Sequence, residues 1–423
     1  MSCCSESVFH KSLFYSSPAH GGWGVLKTAH LVPESYYLFV SPAACGRHGA
    51  LGACMDGRKE RVSYLYLKEE DIVSGGYEEL MIQGVQKLLA HLEKCGRMPK
   101  VLGIFVSCID DLLGTDHGAI LSELSMMYPH VRFTVCHMNP TSTDTSVPPA
   151  VNIQNKNYSV LEVTDEKDGG INIIGNLAPL RENGDLFKVL EEMGAAAVRH
   201  ISDYQSFDKY QEMAKSKLNL VITPSGKYAA ANMSKKHGIP HQLVFTTFQI
   251  EKIRENYEKI AELLGVKCPD LEIYEQSVRE ALEKTRKHLN GRSIVLDCEA
   301  IVRPFDLTKA LIKAGIHVEG VFAQQAISSD KENFEWVKEY APELKIIQPQ
   351  SPEASLRNSQ FEKCVAIGYS AAYLSGTSHL VDIDGQHGLY GYQGLIDLLE
   401  MICKAADEET NLKKVLDEAV LVV

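Results

Sequence analysis

Short apolar runs rich in Val, Ile, Tyr and Phe alternate with amphipathic stretches along most of the chain. Apolar runs of about four to eight residues predict strands, and stretches with apolar residues every three or four positions predict helices. Because the strand runs are apolar at nearly every position, we expect strands that are buried on both faces, as in parallel sheets. The predicted strands are 36–41, 101–107, 131–136, 171–175, 218–223, 243–247, 293–298, 317–323, 345–348 and 364–368. The predicted helices are 77–92, 186–193, 249–264, 306–314 and 394–404.

This strand–helix alternation predicts an α/β fold with helices on both faces of parallel sheets. It is interrupted at 141–157, a polar stretch with two prolines that predicts a linker. A long charged helix at 271–290 then precedes a new strand. These interruptions predict three α/β units, at 1–165, 166–268 and 269–423. Such units bind ligands outside the carboxyl ends of their strands, where the sequence places Cys108, Thr223, Thr246 and Gly368.

The composition narrows the class of protein. Apolar residues make up 45% of the 423 residues and charged residues 23%, which is typical of a globular protein. The net charge of −12 argues against nucleic-acid binding, which needs clustered Lys and Arg. No apolar run is long enough for a membrane span, and the first twenty residues lack the apolar core of a signal peptide. We therefore expect a cytoplasmic protein that binds neither nucleic acid nor membranes.

The 11 cysteines bear on the chemistry. In a long cytoplasmic chain, scattered cysteines do not predict a disulfide framework. Some of them are then small buried apolar residues, and others are thiolate ligands or redox groups.

Two of these cysteines follow predicted strands. Cys45 lies in the segment 41–50, where a proline and small residues predict a turn that lifts the thiol out of the sheet. Cys108 follows the strand 101–107, and three carboxylates come within the next eight residues. Those carboxylates either join a polar site or cap a helix that begins near His117. Each cysteine is either a cluster ligand or a buried structural residue, and their spacing alone does not decide between the two.

A third group lies near the carboxyl end of the chain, at 378–394. It contains two histidines, two aspartates and several glycines, just before the final predicted helix. Glycines let the backbone approach a ligand closely, and His and Asp can bind metal or move protons. The alternative is a glycine-rich surface loop.

Several common nucleotide motifs are missing from the sequence. There is no GxxxxGK[ST] phosphate loop, so we expect no ATP hydrolysis by the chain itself. There is also no GxGxxG that opens a helix after a strand, and no GxSxG nucleophile turn.

Taken together and in order, several segments resemble component 1 of the nitrogenase family. They are the turn that ends in Cys45, the stretches 68–76, 107–116, 217–221 and 237–240, and the loop 379–394. The resemblance implies three Rossmann-like domains with parallel sheets. It also implies an iron–sulfur cluster at the interface of two component 1 subunits, and a separate ATP-hydrolysing iron protein that donates electrons.

The departures from the family pattern are equally specific. Members that hold an eight-iron cluster supply three cysteines from each subunit, and the first would fall near Ser17. Only Cys45 and Cys108 carry over, so the resemblance implies a four-iron (4Fe–4S) cluster with two thiolates from each subunit. Cys54 is an additional candidate ligand. The family's cofactor cysteine has no counterpart, because Ile222 and Thr223 stand in that region, whereas the cofactor histidine corresponds to His379.

The resulting hypothesis is an oxygen-sensitive, nitrogenase-like iron–sulfur reductase that receives electrons from an iron protein. Its cluster would lie at Cys45 and Cys108, and it would reduce a substrate or a bound metallocofactor or tetrapyrrole in an inter-domain cleft. His379, His387 and Asp382 are the candidate catalytic residues there, with Thr223 and His379 as candidate cofactor ligands. The partner subunit is a second copy or a related component 1 chain. The alternatives are a scaffold for assembly of a metal cofactor and a non-catalytic ligand-binding protein of the same fold.

Overall fold

The computed structural model describes residues 9, 26–55, 57–138, 147–351, 354, 361, 363–386 and 388–418. The strands are β1 Ser35–Ser41, β2 Val62–Tyr66, β3 Val101–Ser107, β4 Arg132–Met138, β5 Ile171–Ile174, β6 Val198–Arg199, β7 Leu218–Val221, β8 His241–Leu243, β9 Ser293–Asp297, β10 Val318–Phe322, β11 Lys345–Ile347, β12 Cys364–Ile367 and β13 Leu380–Val381.

The α-helices alternate with these strands. They are α1 Ala43–Met55, α2 Glu69–Val73, α3 Tyr77–Lys94, α4 Cys108–Leu113, α5 His117–Met127, α6 Pro149–Ser159, α7 Asp185–Glu192, α8 Phe207–Tyr210, α9 Lys227–His237, α10 Ile250–Leu264, α11 Glu272–Leu289, α12 Pro304–Lys313, α13 Lys331–Tyr340, α14 Tyr369–Ser375, α15 Gly391–Asp407 and α16 Leu412–Glu418.

Within the described residues, the strands form three sheets. Their strand orders are β2-β1-β3-β4, β6-β5-β7-β8 and β11-β10-β9-β12-β13. Every strand pair in these sheets is parallel. The predicted α/β fold with parallel sheets is therefore confirmed.

The strands are buried on both faces, which explains why their sequences are continuous apolar runs. All seven residues of β1 and of β3 are buried. Successive side chains point to opposite faces, so Val40 and Val106 face one layer of helices while Phe39 and Phe105 face the other. Helix α3 covers the first of these faces with its apolar stripe.

The three sheets do not have three separate cores. The second and third sheets share one hydrophobic cluster, which joins side chains such as Ile173 and Leu296. Another cluster joins Val101 of the first sheet to Val221 of the second. The three predicted units therefore pack together through apolar contacts, and their bounds stay a prediction, with the strands of each sheet falling within one unit.

The predicted linker at 141–157 is wrong for its second half, because α6 spans Pro149–Ser159 there and packs against α9. Its first part, 141–146, lies outside the described residues. The predicted strand 243–247 is displaced, since β8 ends at Leu243. The short strands β2, β6 and β13 and the helices α1, α2, α4, α8, α9, α13, α14 and α16 were not predicted.

A search of the described residues finds no helix with the length and apolar character that a membrane crossing requires.

Candidate metal-cluster site

Cys45 lies in the first turn of α1, directly after β1. The helix begins at Ala43, so the segment predicted as a turn is a helix start, with the Cys45 amide donating to the Pro42 carbonyl at 3.0 Å. Cys45 is exposed as a residue, although the protein partly covers its thiol. Gly46 lets α1 lie close to the sheet, because a Cβ there would come within 2.9 Å of the Tyr66 ring.

Cys108 is the first residue of α4 and directly follows β3. Because β1 and β3 are neighbours in register, with Val40 paired to Val106, both cysteines leave the same edge of the sheet side by side. Burial raises the pKa of the Cys45 thiol, and the neighbouring Cys108 thiol raises it further. Both thiols would have to lose their protons to bind a metal ion, because the thiolate is the ligand.

Exposed apolar side chains surround this pair. Leu112 is 85% exposed and lies four residues after Cys108, which places it on the same face of α4. Leu113 and Tyr66 are also exposed. Apolar surface of this kind is typical of a protein interface.

Cys54 is also exposed, but it lies far from the pair. It follows Cys45 by nine residues on α1, which is about 13 Å along the helix and close to the opposite face. The structure therefore brings Cys45 together with Cys108 and leaves Cys54 apart.

Thr223 lies at the carboxyl end of β7, as predicted. Its hydroxyl is buried and donates to the Gly175 carbonyl at 2.6 Å, and it lies 2.8 Å from the Ser225 hydroxyl. Gly175 has a φ of 109°, and a Cβ there would lie 2.5 Å from the Thr223 hydroxyl oxygen. The contacts of Thr223 in the structure hold the turn after β5, and its cofactor-binding role stays a prediction.

His379 is found at the other edge of its sheet. It precedes β13, and its Nδ1 lies 2.8 Å from the Ala405 carbonyl and 3.0 Å from the Glu408 carbonyl, at the end of α15. The imidazole thus caps a helix of its own unit, whereas we expected it to face an inter-domain cleft. Ligands bind at the carboxyl ends of strands, and His379 is at the amino end.

The other residues of this loop are separated from His379. Asp382 follows β13 at its carboxyl end and is exposed, so the strand stands between it and His379. Asp384, two residues further on, forms an ion pair with Lys27 at 3.8 Å. The loop after β13 therefore approaches the beginning of the first unit. His387 lies outside the described residues.

The His379→Ala variant tests the capping role. Losing hydrogen bonds to the last turn of α15 should lower the free energy of unfolding by about 1 kcal/mol, with bound iron unchanged. Urea unfolding and iron analysis of the same preparation measure both quantities. His130→Ala, in an exposed turn, is the matched control. Loss of iron without loss of stability would instead support the ligand role.

Beside Cys108 the structure assembles a group that was not identified from the sequence. Asp116, one of the three nearby carboxylates, caps α5 by accepting from the Ala119 amide at 3.0 Å, as the helix-cap interpretation predicts. Asp110 is instead buried, next to His117 and His137. The sequence feature that could have indicated this contact is the alternation of side chains between the two faces of β4, which puts His137 on the face opposite Cys136.

The fold and these sites define a class: an α/β protein of three parallel sheets that presents a pair of cysteines at the carboxyl edge of the first. The chain belongs to the nitrogenase component 1 type oxidoreductase family, whose model matches residues 22–407. The resemblance inferred from the sequence is thereby confirmed.

Curated relatives share a more specific description. The chain is 23% identical over 391 residues to the nitrogenase iron-molybdenum cofactor biosynthesis protein NifE of Clostridium pasteurianum, covering 88% of this chain and 83% of the relative. It is 24% identical over 393 residues to the protein of the same name from Methanococcus maripaludis, covering 84% of this chain and 77% of the relative.

Solved structures agree on the fold. The structure described as nitrogenase Cp1 at pH 6.5 matches with a TM-score of 0.67 and 16% identity, covering 94% of this chain and 92% of that one. Nitrogenase Cp1 at pH 5 matches with a TM-score of 0.63 and 14% identity, covering 98% and 91%. At these identities, the similarity shows the fold alone.

Proposed function

We propose that this protein is an assembly scaffold that holds an iron–sulfur cluster, or a precursor of a metal cofactor, between two component 1-type subunits. Its similarity to two cofactor biosynthesis proteins supports the scaffold over the reductase that was the leading hypothesis from the sequence. The observation that carries the proposal is the pairing of Cys45 and Cys108 at one sheet edge.

The donor set at this edge fits half of a four-iron cluster. Such a cluster takes four thiolates, and Cys45 with Cys108 supply two of them. A second subunit would supply the other two, and the exposed Leu112 and Leu113 would be covered by the same contact. When bound, the cluster supplies low-potential electron transfer, while the protein fixes its orientation and limits its exposure to water.

The residue types near the expected cofactor position in the second unit favour temporary binding of a metal cofactor over permanent binding. The family's cofactor cysteine belongs in the region of Thr223, and a hydroxyl is a much weaker ligand than a thiolate for a soft metal cluster. The Thr223 hydroxyl also donates to a backbone carbonyl. A scaffold has to give up its cargo, so weak ligation at this position suits transfer.

Electron delivery in this scheme comes from outside the chain. The sequence has no phosphate loop, so ATP-driven reduction of the cluster would require an iron protein as partner. The partner subunit would be a second copy or a related component 1 chain.

The test begins with anaerobic purification and analysis of iron and sulfide, for which we expect about four irons per dimer. The loaded protein is then mixed with an apo component 1 protein that lacks its metal cofactor, and separately with an iron protein, ATP and dithionite. A scaffold should pass its metal to the apo protein and show no sustained substrate reduction. Repeated turnover without transfer would identify a reductase, and a colourless, iron-free protein would overturn both.

A further inference from the structure

Three potential metal ligands converge next to Cys108, at the carboxyl edge of the first sheet and on the face that α3 covers. They are the Asp110 carboxylate on α4, the His117 imidazole at the start of α5 and the His137 imidazole on β4. One ligand atom from each lies within 4.8 Å of the other two. Nε2 of His117 is 2.8 Å from Oδ2 of Asp110, and Nδ1 of His137 is 4.0 Å from the same oxygen.

Local sequence explains why these groups meet. Along β4 the side chains alternate, so Cys136 packs with Phe105 on one face while Val135 and His137 lie on the other. The left-handed residue Gly114, with a φ of 68°, ends α4 and turns the chain back into α5. This reversal brings the first residue of α5, His117, over Asp110.

The buried carboxylate at the centre of this group has no hydrogen bond from the described residues. Asp110 is only 1% exposed, yet neither of its carboxylate oxygens has a hydrogen-bond partner, and the close approach of His117 Nε2 does not have hydrogen-bond geometry. Burial raises the pKa of the neighbouring Tyr77 hydroxyl, and the charge of Asp110 raises it further. Burying a carboxylate without hydrogen bonds is strongly unfavourable, and a bound cation removes that penalty.

The two imidazoles are arranged to approach one point from different directions. The rings of His117 and His137 are 4.8 Å apart and perpendicular, at 90°. Asp111 extends the group, because its Oδ1 lies 3.0 Å from Nδ1 of His137. His137 is partly exposed, which gives an ion access to the otherwise buried Asp110.

We propose that Asp110, His117 and His137 form a binding site for a divalent first-row transition ion of the Zn²⁺ type, with Asp111 placed to supply a fourth ligand. Two imidazoles with carboxylate oxygens suit Zn²⁺ or Fe²⁺, whereas Mg²⁺ and Ca²⁺ prefer oxygen ligands alone. The site is separate from the paired thiols, but α4 carries both Cys108 and Asp110. A metal ion there fixes the helix that presents Cys108.

The experiment uses the full chain with Cys45→Ser and Cys108→Ser, so that no cluster at the paired thiols contributes to the signal. The protein is stripped with a chelator, and Zn²⁺ and Co²⁺ binding are measured by competition titration and by the visible spectrum of Co²⁺. We expect one tight ion per chain, a Co²⁺ spectrum without thiolate charge-transfer bands, and a higher melting temperature with Zn²⁺.

Variants then assign the ligands. His117→Gln and His137→Gln should each weaken Zn²⁺ binding by about 100-fold or more, because losing a direct ligand costs at least as much as losing a supporting hydrogen bond. His130→Gln, in an exposed turn of the same unit, should bind like the parent. Circular dichroism verifies folding, and the partly exposed His137 provides a variant that does not disturb the core.

Two outcomes would overturn the site. One is absence of Zn²⁺ binding by the stripped parent, which would leave Asp110 and His117 as a buried acid–base pair without metal. The other is binding that persists in both histidine variants, which would assign the ion to the remaining cysteines. Because the paired thiols are already replaced, neither outcome bears on the scaffold proposal.

Discussion

Replacing Cys45 and Cys108 together with serine should abolish the iron–sulfur absorbance of the anaerobically purified protein. The two thiols lie at adjacent strand ends on one edge of the first sheet. In a symmetric dimer the double variant removes all four thiolates of a shared cluster, and a serine hydroxyl does not replace a thiolate for this purpose. Each single variant removes two of the four and should also lose most of the iron.

The dimer should weaken in the same variant. A cluster bound only in the assembled protein stabilises that assembly, so its loss shifts the equilibrium toward monomer. Sedimentation velocity before and after chelation measures this shift. Cys54→Ser is the matched control, because Cys54 is an exposed cysteine of the same helix and should leave iron and assembly unchanged. Full iron in the double variant would refute the site, and a monomer with a complete cluster would refute shared ligation.

Asp306→Ala should cause the largest loss of stability that the described structure predicts. Asp306 is fully buried on α12 and accepts hydrogen bonds from the Thr247 hydroxyl at 2.9 Å, the Phe248 amide at 2.7 Å and the Gln249 amide group at 2.7 Å. Arg303 completes the group with an ion pair at 3.3 Å. The carboxylate thus joins the second unit to the third.

Removing it leaves the buried donors without their acceptor and takes the ion-pair partner from the mostly buried Arg303, which costs about 3–5 kcal/mol. Urea unfolding followed by circular dichroism measures the change in the free energy of unfolding. Asp382→Ala, which removes an exposed aspartate from the same unit, should change it by less than about 0.5 kcal/mol. Equal stability of the two variants would show that the Asp306 network does not hold the units together.

The helix α6 was predicted as a linker because its sequence is polar. The stretch 141–157 is rich in Ser, Thr and Asn, which are common in loops. In the structure, however, Asn157 donates to the Thr28 carbonyl at 2.7 Å and Asn155 accepts from Asn232 at 2.8 Å. These amides bond to partners distant in sequence, and such partners leave no pattern in the local sequence.

The displaced strand β8 has a similar cause. The apolar run 243–247 predicts a strand, but regular strand geometry ends at Leu243, although the Val244 and Thr246 amides still donate to the Val221 and Ile222 carbonyls at 3.0 and 2.8 Å. The Thr246 carbonyl accepts from Arg303 at 3.0 Å, and the Thr247 hydroxyl donates to Asp306. The Thr246 side of this segment thus still bonds to the backbone after β7, while its other contacts reach the third unit and bend it out of regular strand geometry.

The sequence by itself determined the α/β class, most of the strands, the burial of the parallel strands, the family, and the position of Cys45 and Cys108 at strand ends. These features are encoded locally, because the spacing of apolar residues sets the element type and each cysteine directly follows a strand. Only the tertiary structure decided that β1 and β3 are neighbours, which makes the two cysteines a pair. It also placed His379 at the amino edge of its sheet, against the end of α15, and buried Asp110 beside His117 and His137. These contacts depend on the order of strands across a sheet and on the path of the turns between elements, and both are set by packing between residues far apart in the chain.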